Sequence, residues 1–357
     1  MLRQNSYSTL FIALLLLATL NSCKKDEPIW CDVCQEDYKK LDESKSLTKI
    51  VFGSCASQLS PLPLLTTAAN QNPELFIFLG DNIYADTEDM DKMREKYLTQ
   101  CAKSDFIKLK QTSPIMAVWD DHDFGYNDAG SEYKFKEESK QNFMEFWGET
   151  GNSARMGHTG NYDAKIIGET GKKVQIISLD TRTFRSALLA TIPFNYEENF
   201  DANATILGAE QWAWLQTQLL KPADVRIIVS SIQFAVEHNG WEAWANFPLE
   251  QQKMYDLIAS TQASGVVFIS GDVHYSEFAK RTPSNTYPLY DLTSSGITGV
   301  STPVSNAYRI GNAYNQNNIG KIDIDWNGAA TNIKFTIMDV NATVLIEENV
   351  VLSDIQF

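Results

Sequence analysis

Residues 73–86 read PELFIFLGDNIYAD. Residues 75–79 form an unbroken apolar run of strand length, which predicts a strand buried on both faces. Gly80 ends the run, and Asp81 follows at the carboxyl end of the strand, where open α/β sheets gather their chemistry. Tyr84 stands a few residues further on, close enough to share a site with Asp81. Alone, the segment reads equally well as a strand end with a capping Asp or as a carboxylate delivered to a metal or a proton.

Three other stretches repeat the pattern. Residues 49–52 run into Gly53-Ser54-Cys55, residues 115–119 into Asp120-Asp121-His122-Asp123, and residues 266–269 into Ser270-Gly271-Asp272-Val273-His274. Histidine is rare in the chain (122, 158, 238 and 274), yet His122 and His274 both lie near an Asp just after a buried strand. A single buried His is more often a satisfied core residue than a ligand. Several such strand ends on one sheet edge instead build binuclear hydrolytic centres, in which two cations about 3.5–4 Å apart share a carboxylate and clamp the attacking and leaving oxygens. The carboxylates of Asp81, Asp121 and Asp272 are hard donors suited to Ca²⁺, whereas thiolate and imidazole, from Cys55 and His274, suit a transition metal. Tyrosinate is an iron ligand.

Outward from these strands, the apolar pattern predicts a loop and helix over 60–72 and helices over 89–110, 134–147, 209–220 and 251–260. Further strands are expected at 174–179 and 225–229. From about residue 287 short β runs alternate with Asn/Gly turns, at 322–326, 332–340 and 343–350, the last two joined by Asn341-Ala342. No linker divides the middle, so one domain is expected over 49–357, behind a leader (1–22) and a polar, flexible tether (23–48). The net charge of -15 argues against binding a nucleic-acid backbone and suits a protein that gathers cations.

The leader places Arg3 before an apolar stretch at 10–20, too short for a membrane span and the right size for a secretory signal. It ends Leu20-Asn21-Ser22-Cys23, which resembles a bacterial lipoprotein box with Asn21 in place of the usual small residue. Cys23 is the expected lipidation site, anchoring the protein in the cell envelope, at the outer membrane on its periplasmic or surface face; the alternative is an ordinary cleaved signal. Lys24-Lys25-Asp26-Glu27 resembles a surface-export signal. Cys31 and Cys34 are expected to form a local disulfide, and Cys101 a buried thiol.

The set GSC, LGDNIY, WDDHDFGYND, SLDTRTFR and SGDVHY, in this order, resembles the metallophosphoesterase superfamily, and within it the alkaline phosphatase D (PhoD-like phosphatase) branch. The resemblance covers about 49–295. It implies an α/β fold, a four-layer α/β/β/α sandwich. It also implies Fe³⁺ held by Cys55, Asp81, Tyr84 and His274, with one or two Ca²⁺ beside it on Asp81, Asp121 and Asp272; Mn²⁺, Zn²⁺ or Mg²⁺ would suit the same carboxylates. Asn127 falls near the family's metal-site asparagine, at a looser spacing. The implied reaction is hydrolysis of a phosphate ester by metal-activated hydroxide attacking phosphorus in line, with His122 protonating or steadying the leaving alkoxide.

Arg182 is expected either to orient phosphate or to form a bridge with Asp180. Gln233 stands where the wider superfamily has a metal-binding His. On the loop after it, Glu237, His238, Trp241 and Trp244 are expected to wall the substrate pocket, though Trp residues at this spacing also suit packing. A phosphodiesterase acting on lipid head groups or wall polymers would share the centre, and a non-catalytic surface lipoprotein is the rival from another class. A monomer is expected.

Overall fold

The computed structural model describes residues 38–149, 151, 153–192 and 195–357. The opening stretch forms β2 (Leu75–Leu79), buried at every residue. It lies parallel between β1 (Lys49–Gly53) and β3 (Ile115–Val118). Beyond β1 the sheet continues antiparallel through β13 (Ile319–Asp325), β14 (Asn332–Met338) and β15 (Val344–Val351), in the order β15-β14-β13-β1-β2-β3.

A second, seven-stranded sheet has a parallel centre, β5 (Val174–Ser178), β8 (Val225–Val229), β9 (Val266–Ser270) and β11 (Leu289–Ser294). Antiparallel strands flank it: β4 (Asp163–Ile167) on one side, β10 (Ser276–Arg281) and β12 (Arg309–Tyr314) on the other. A small hairpin, β6 (Leu189–Ile192) and β7 (Asn195–Glu197), stands apart.

Strand β2 lacks polar alternation because both its faces are covered. Leu75, Ile77 and Leu79 join the core between the sheets, with Ile176, Ile227 and Val267. Phe76 and Phe78 point the other way, toward Phe106, Phe146 and Trp147. Those rings come from the helical layer formed by α1 (Pro63–Asn70), α2 (Met90–Cys101), α3 (Ser104–Thr112), α4 (Asp121–Phe124) and α5 (Lys136–Phe146). On the far side, α6 (Gly208–Leu219) and α7 (Pro248–Thr261) bring Trp212, Leu215, Met254 and Ile258 to the second sheet. The result is the expected four-layer α/β/β/α sandwich.

Three local expectations are corrected. The helix predicted over 89–110 is two helices, because Met93, Tyr97 and Cys101 recur at helical spacing while Phe106 and Leu109 fall out of that phase. Cys101 is buried but is not a free thiol: it is disulfide-bonded. Part of the expected tether packs on the domain, with Leu47 buried and the Tyr38 hydroxyl donating to the Phe146 carbonyl at 3.2 Å. Cys23, Cys31 and Cys34 lie outside the described residues.

Candidate metal centre

Because β1, β2 and β3 run parallel, their carboxyl ends emerge side by side, bearing Cys55, Asp81 and the run from Asp120. The second sheet meets them there. Ser54 bridges to Ser295 just past β11, and the Ser54 amide donates to the Ser294 carbonyl at 3.1 Å. Gly271, after β9, sits so close that a Cβ would lie 2.4 Å from Ser54 Oγ, so a side chain there would push Asp272 and His274 away from the first sheet. Cys55, Asp81, Asp272 and His274 all adopt left-handed backbone, with φ of 61°, 50°, 72° and 58°. Such φ values are uncommon for residues other than glycine and cluster where function constrains the chain. Here they mark the places where a strand stops and its side chain is turned into the cleft.

The ligand atoms converge. Cys55, Asp81 and His274 each offer one within 4.8 Å of the others, as do Asp81, Asp121 and His122, and likewise Asp120, Asp121 and Asp272. Asp81 belongs to two of these sets, as a bridging ligand must. The Tyr84 hydroxyl lies 3.1 Å from His274 Nε2, and Cys55 Sγ lies 3.5 Å from Asp81 Oδ2. The Asp121 carboxylate accepts from the backbone amides of His122 at 2.9 Å and Asp128 at 2.6 Å, which fixes its aim.

The electrostatics call for cations. Burial pushes the Asp81 carboxyl well above its usual range, and Asp121 and Cys55 nearby push it further. Burial does the same to Asp272, reinforced by Asp120 and Asp121. Asp121 is held below the usual range, because Arg182 and His122 outweigh its burial. Burial also opposes charge on Cys55, but His274 with the Ser295 and Ser54 hydroxyls brings the thiol down to about 6. Tyr84 is raised by burial and by the charges of Cys55 and Asp81, so in the protein alone its phenol stays protonated. Asp81 Oδ1 and Asp120 Oδ2 are buried without a hydrogen-bond partner. Orphaned carboxylate oxygens and mutually repelling charges are what bound cations relieve, so the residues fit a multi-metal centre.

The remaining predicted residues divide. His122 lines the cleft, its ring 4.3 Å from that of Tyr84, and its Nδ1 hydrogen-bonds Asp86 Oδ1 at 2.7 Å. Trp241 also lines the cleft. Asn127 reaches the rim, where its amide donates to Asp128 at 2.7 Å. Arg182 does not face the cleft: it is fully buried, paired with Asp120 and, at 2.7 Å, with Glu242. It takes the Asp180 carboxylate only through its backbone amide, at 2.9 Å. Trp244 is a core residue, fully buried against Trp212 and Phe234, with its indole N–H on Ser230 Oγ at 3.0 Å. Glu237 caps the Ala307 amide and His238 holds the Tyr196 carbonyl, so neither walls the cleft. Gln233 is buried on Glu277 and Thr293, away from the ligands.

Sequence reasoning missed Asp86, Asp120, Asp128 and Glu242. Asp120 and Asp128 stand inside the quoted motif and were in reach, whereas Glu242, in a Trp-rich loop, carried no signal. Asp121, Asp128 and Glu242 also bring ligand atoms within 4.8 Å of one another.

Residues 51–348 match the family described as PhoD-like phosphatase. The chain belongs to this family. A segment of 112 residues is 30% identical to alkaline phosphatase D of Bacillus subtilis (strain 168), covering 29% of this chain and 18% of that protein. Among solved structures, the PhoD-like chain resembles that of PhoD with a TM-score of 0.68 at 15% identity, over 86% of this chain and 69% of the other. The purple acid phosphatase PPD1 of yellow lupin (Lupinus luteus) gives 0.59 at 10% identity, over 87% and 54%. A dimetal phosphatase from Danio rerio gives 0.55 at 12% identity, over 86% and 100%. All three share the two-sheet sandwich of this PhoD-like chain.

Proposed function

We propose that this chain hydrolyses phosphate esters with the help of bound metal ions. One observation carries the reading: Asp81, its Oδ1 buried without a partner, joins the ligand set of Cys55 and His274 to that of Asp121 and His122. Family membership points the same way. Cys55, Asp81, Tyr84 and His274 would hold Fe³⁺, and Asp81, Asp121 and Asp272 would hold Ca²⁺, for which Mn²⁺, Zn²⁺ or Mg²⁺ could substitute. Bound there, the ions would supply Lewis-acid charge for the phosphoryl oxygens and polarise the attacking water.

The chain's own residues do the rest. Asp86 orients the His122 ring and, with Asp121, raises it to about 9 against the opposing effect of burial, so His122 is protonated at neutral pH and suited to give a proton to the departing oxygen. Arg182 acts at one remove, balancing the buried carboxylates of Asp120 and of Glu242, which lines the cleft. Purified full-length protein should release phosphate from a phosphomonoester, and an assay against a bis-ester at equal concentration would rank the two bonds. No hydrolysis of either by metal-loaded protein would refute the reading.

The reading also takes the protein to work outside the cytoplasm, lipidated at Cys23. The disulfide at Cys101 supports an oxidising compartment. Fatty-acid labelling that Cys23→Ala abolishes is the expected result, and equal labelling of both proteins would remove the anchor.

A further inference from the structure

The cleft is lined by two kinds of residue. Some are titratable: Asp81, His122, Asp128, Glu242, Asp272 and His274. Others carry no charge: Trp241, Val273, Val304, Ser301 and Thr302. Among the described residues, no Lys or Arg lines it. The guanidiniums just behind it are already engaged: Arg182 by Asp120 and Glu242, and Arg185 by Glu242 at 2.9 Å and by the Ser186 carbonyl at 2.9 Å. Both are fully buried.

The cleft is also small, about 150 Å³, against roughly 300–1,000 Å³ for sites that enclose a drug-sized ligand. It therefore takes the phosphoryl group and the first atoms of the alcohol, and a longer alcohol must run out over the rim. Trp241 stands at that rim, 52% exposed while lining the cleft. Its loop is fixed from below, since the Tyr196 amide donates to the Gly240 carbonyl at 2.8 Å and Gly240 (φ 91°) packs on the Asn195 side chain. The hairpin that supplies those contacts also carries the exposed side chains of Leu189 and Ile192, the latter 62% exposed.

We propose that the site selects phosphate esters whose alcohol part is uncharged and apolar, with Trp241 as the residue that sets this preference. The inference rests on the hydrolase reading above. An apolar chain leaving the cleft gains burial against an indole face held ready for it. A second phosphate in the same position meets no cationic partner and faces a protein whose net charge is -15.

The test uses full-length, metal-loaded protein and three esters: ethyl phosphate, hexyl phosphate and hexane-1,6-diol bisphosphate. The last two share an alkyl leaving group and differ in remote charge. Hexyl phosphate should exceed the bisphosphate in kcat/KM by about tenfold or more. Trp241→Ala should raise KM for hexyl phosphate about tenfold with little change in kcat, a several-fold larger rise than for ethyl phosphate; Trp241→Phe should keep the preference. Calorimetric binding of hexylphosphonate, which cannot be hydrolysed, should weaken by a similar factor in Trp241→Ala, and that of ethylphosphonate by several-fold less. Equal turnover of hexyl phosphate and the bisphosphate, or equal effects of Trp241→Ala on the short and long compounds, would overturn the proposal while leaving the hydrolase reading in place. No turnover of any ester would overturn that reading, and this inference with it.

Discussion

The Tyr84 hydroxyl lies 3.1 Å from Nε2 of His274, with Cys55 and Asp81 completing that side of the cleft. A phenol held protonated by its buried, anionic surroundings gives up its proton only to a strong Lewis acid. If Fe³⁺ occupies this place, the protein should show a tyrosinate-to-iron charge-transfer band in the visible. Tyr84→Phe removes one oxygen and little volume, and should abolish the band and most of the activity while the fold persists. A colourless, iron-free protein with full activity would remove iron from the centre and leave the hydrolase reading standing.

His122 and Asp86 set a pH dependence. Burial pulls the His122 pKa down and the Asp86 hydrogen bond pushes it up, leaving it at about 9. A proton donor loses function as pH rises through its pKa, so this group should shape the alkaline fall of kcat. Asp86→Asn removes the raising influence and should move that fall to lower pH by roughly one unit. An unchanged profile would mean that His122 does not supply the proton.

Arg182 should matter for stability more than for substrate affinity. Replacing it by Ala leaves the carboxylates of Asp120 and Glu242 buried with less compensation, at a cost of about 3–5 kcal/mol in urea unfolding. Arg185 retains its own bond to Glu242 and limits the damage. Unaltered stability with a large rise in KM would instead return Arg182 to the substrate.

Trp241 and Trp244 make a matched pair. Trp244→Ala should cost about 3–5 kcal/mol, because it empties a core position. Trp241→Ala should change stability by only about 0.5 kcal/mol, as surface substitutions do. Chemical denaturation of both variants checks this, and similar losses would contradict the assignment.

These cases explain what the sequence made legible. The four strand ends could be read because a buried parallel strand is a plain apolar run and its Asp, Cys or His follows at once, in covalent order. The fold followed from them. Residues that reach the site across the tertiary structure left no such trace: Asp86 meets His122 and Glu242 meets Arg182 only after the loops have folded. Trp241 and Trp244 look alike in sequence, but the chain bends at the first and begins a 3₁₀ turn at the second, so they point to different layers. Strands β10 and β11 escaped notice because their buried faces carry Glu277, Asp291 and Thr293, which are satisfied by one another's neighbours and not by apolar packing.

The most direct measurement is phosphate release by the full-length protein before and after stripping its metals, with the metal content of each sample determined. Metal-dependent hydrolysis predicts that EGTA followed by a stronger iron chelator removes activity in step with bound metal, and that Ca²⁺ and Fe³⁺ together restore it. Asp121→Ala and Asp272→Ala should bind less metal and lose activity by orders of magnitude while remaining folded. Full ester hydrolysis by protein shown to be metal-free would contradict the central claim.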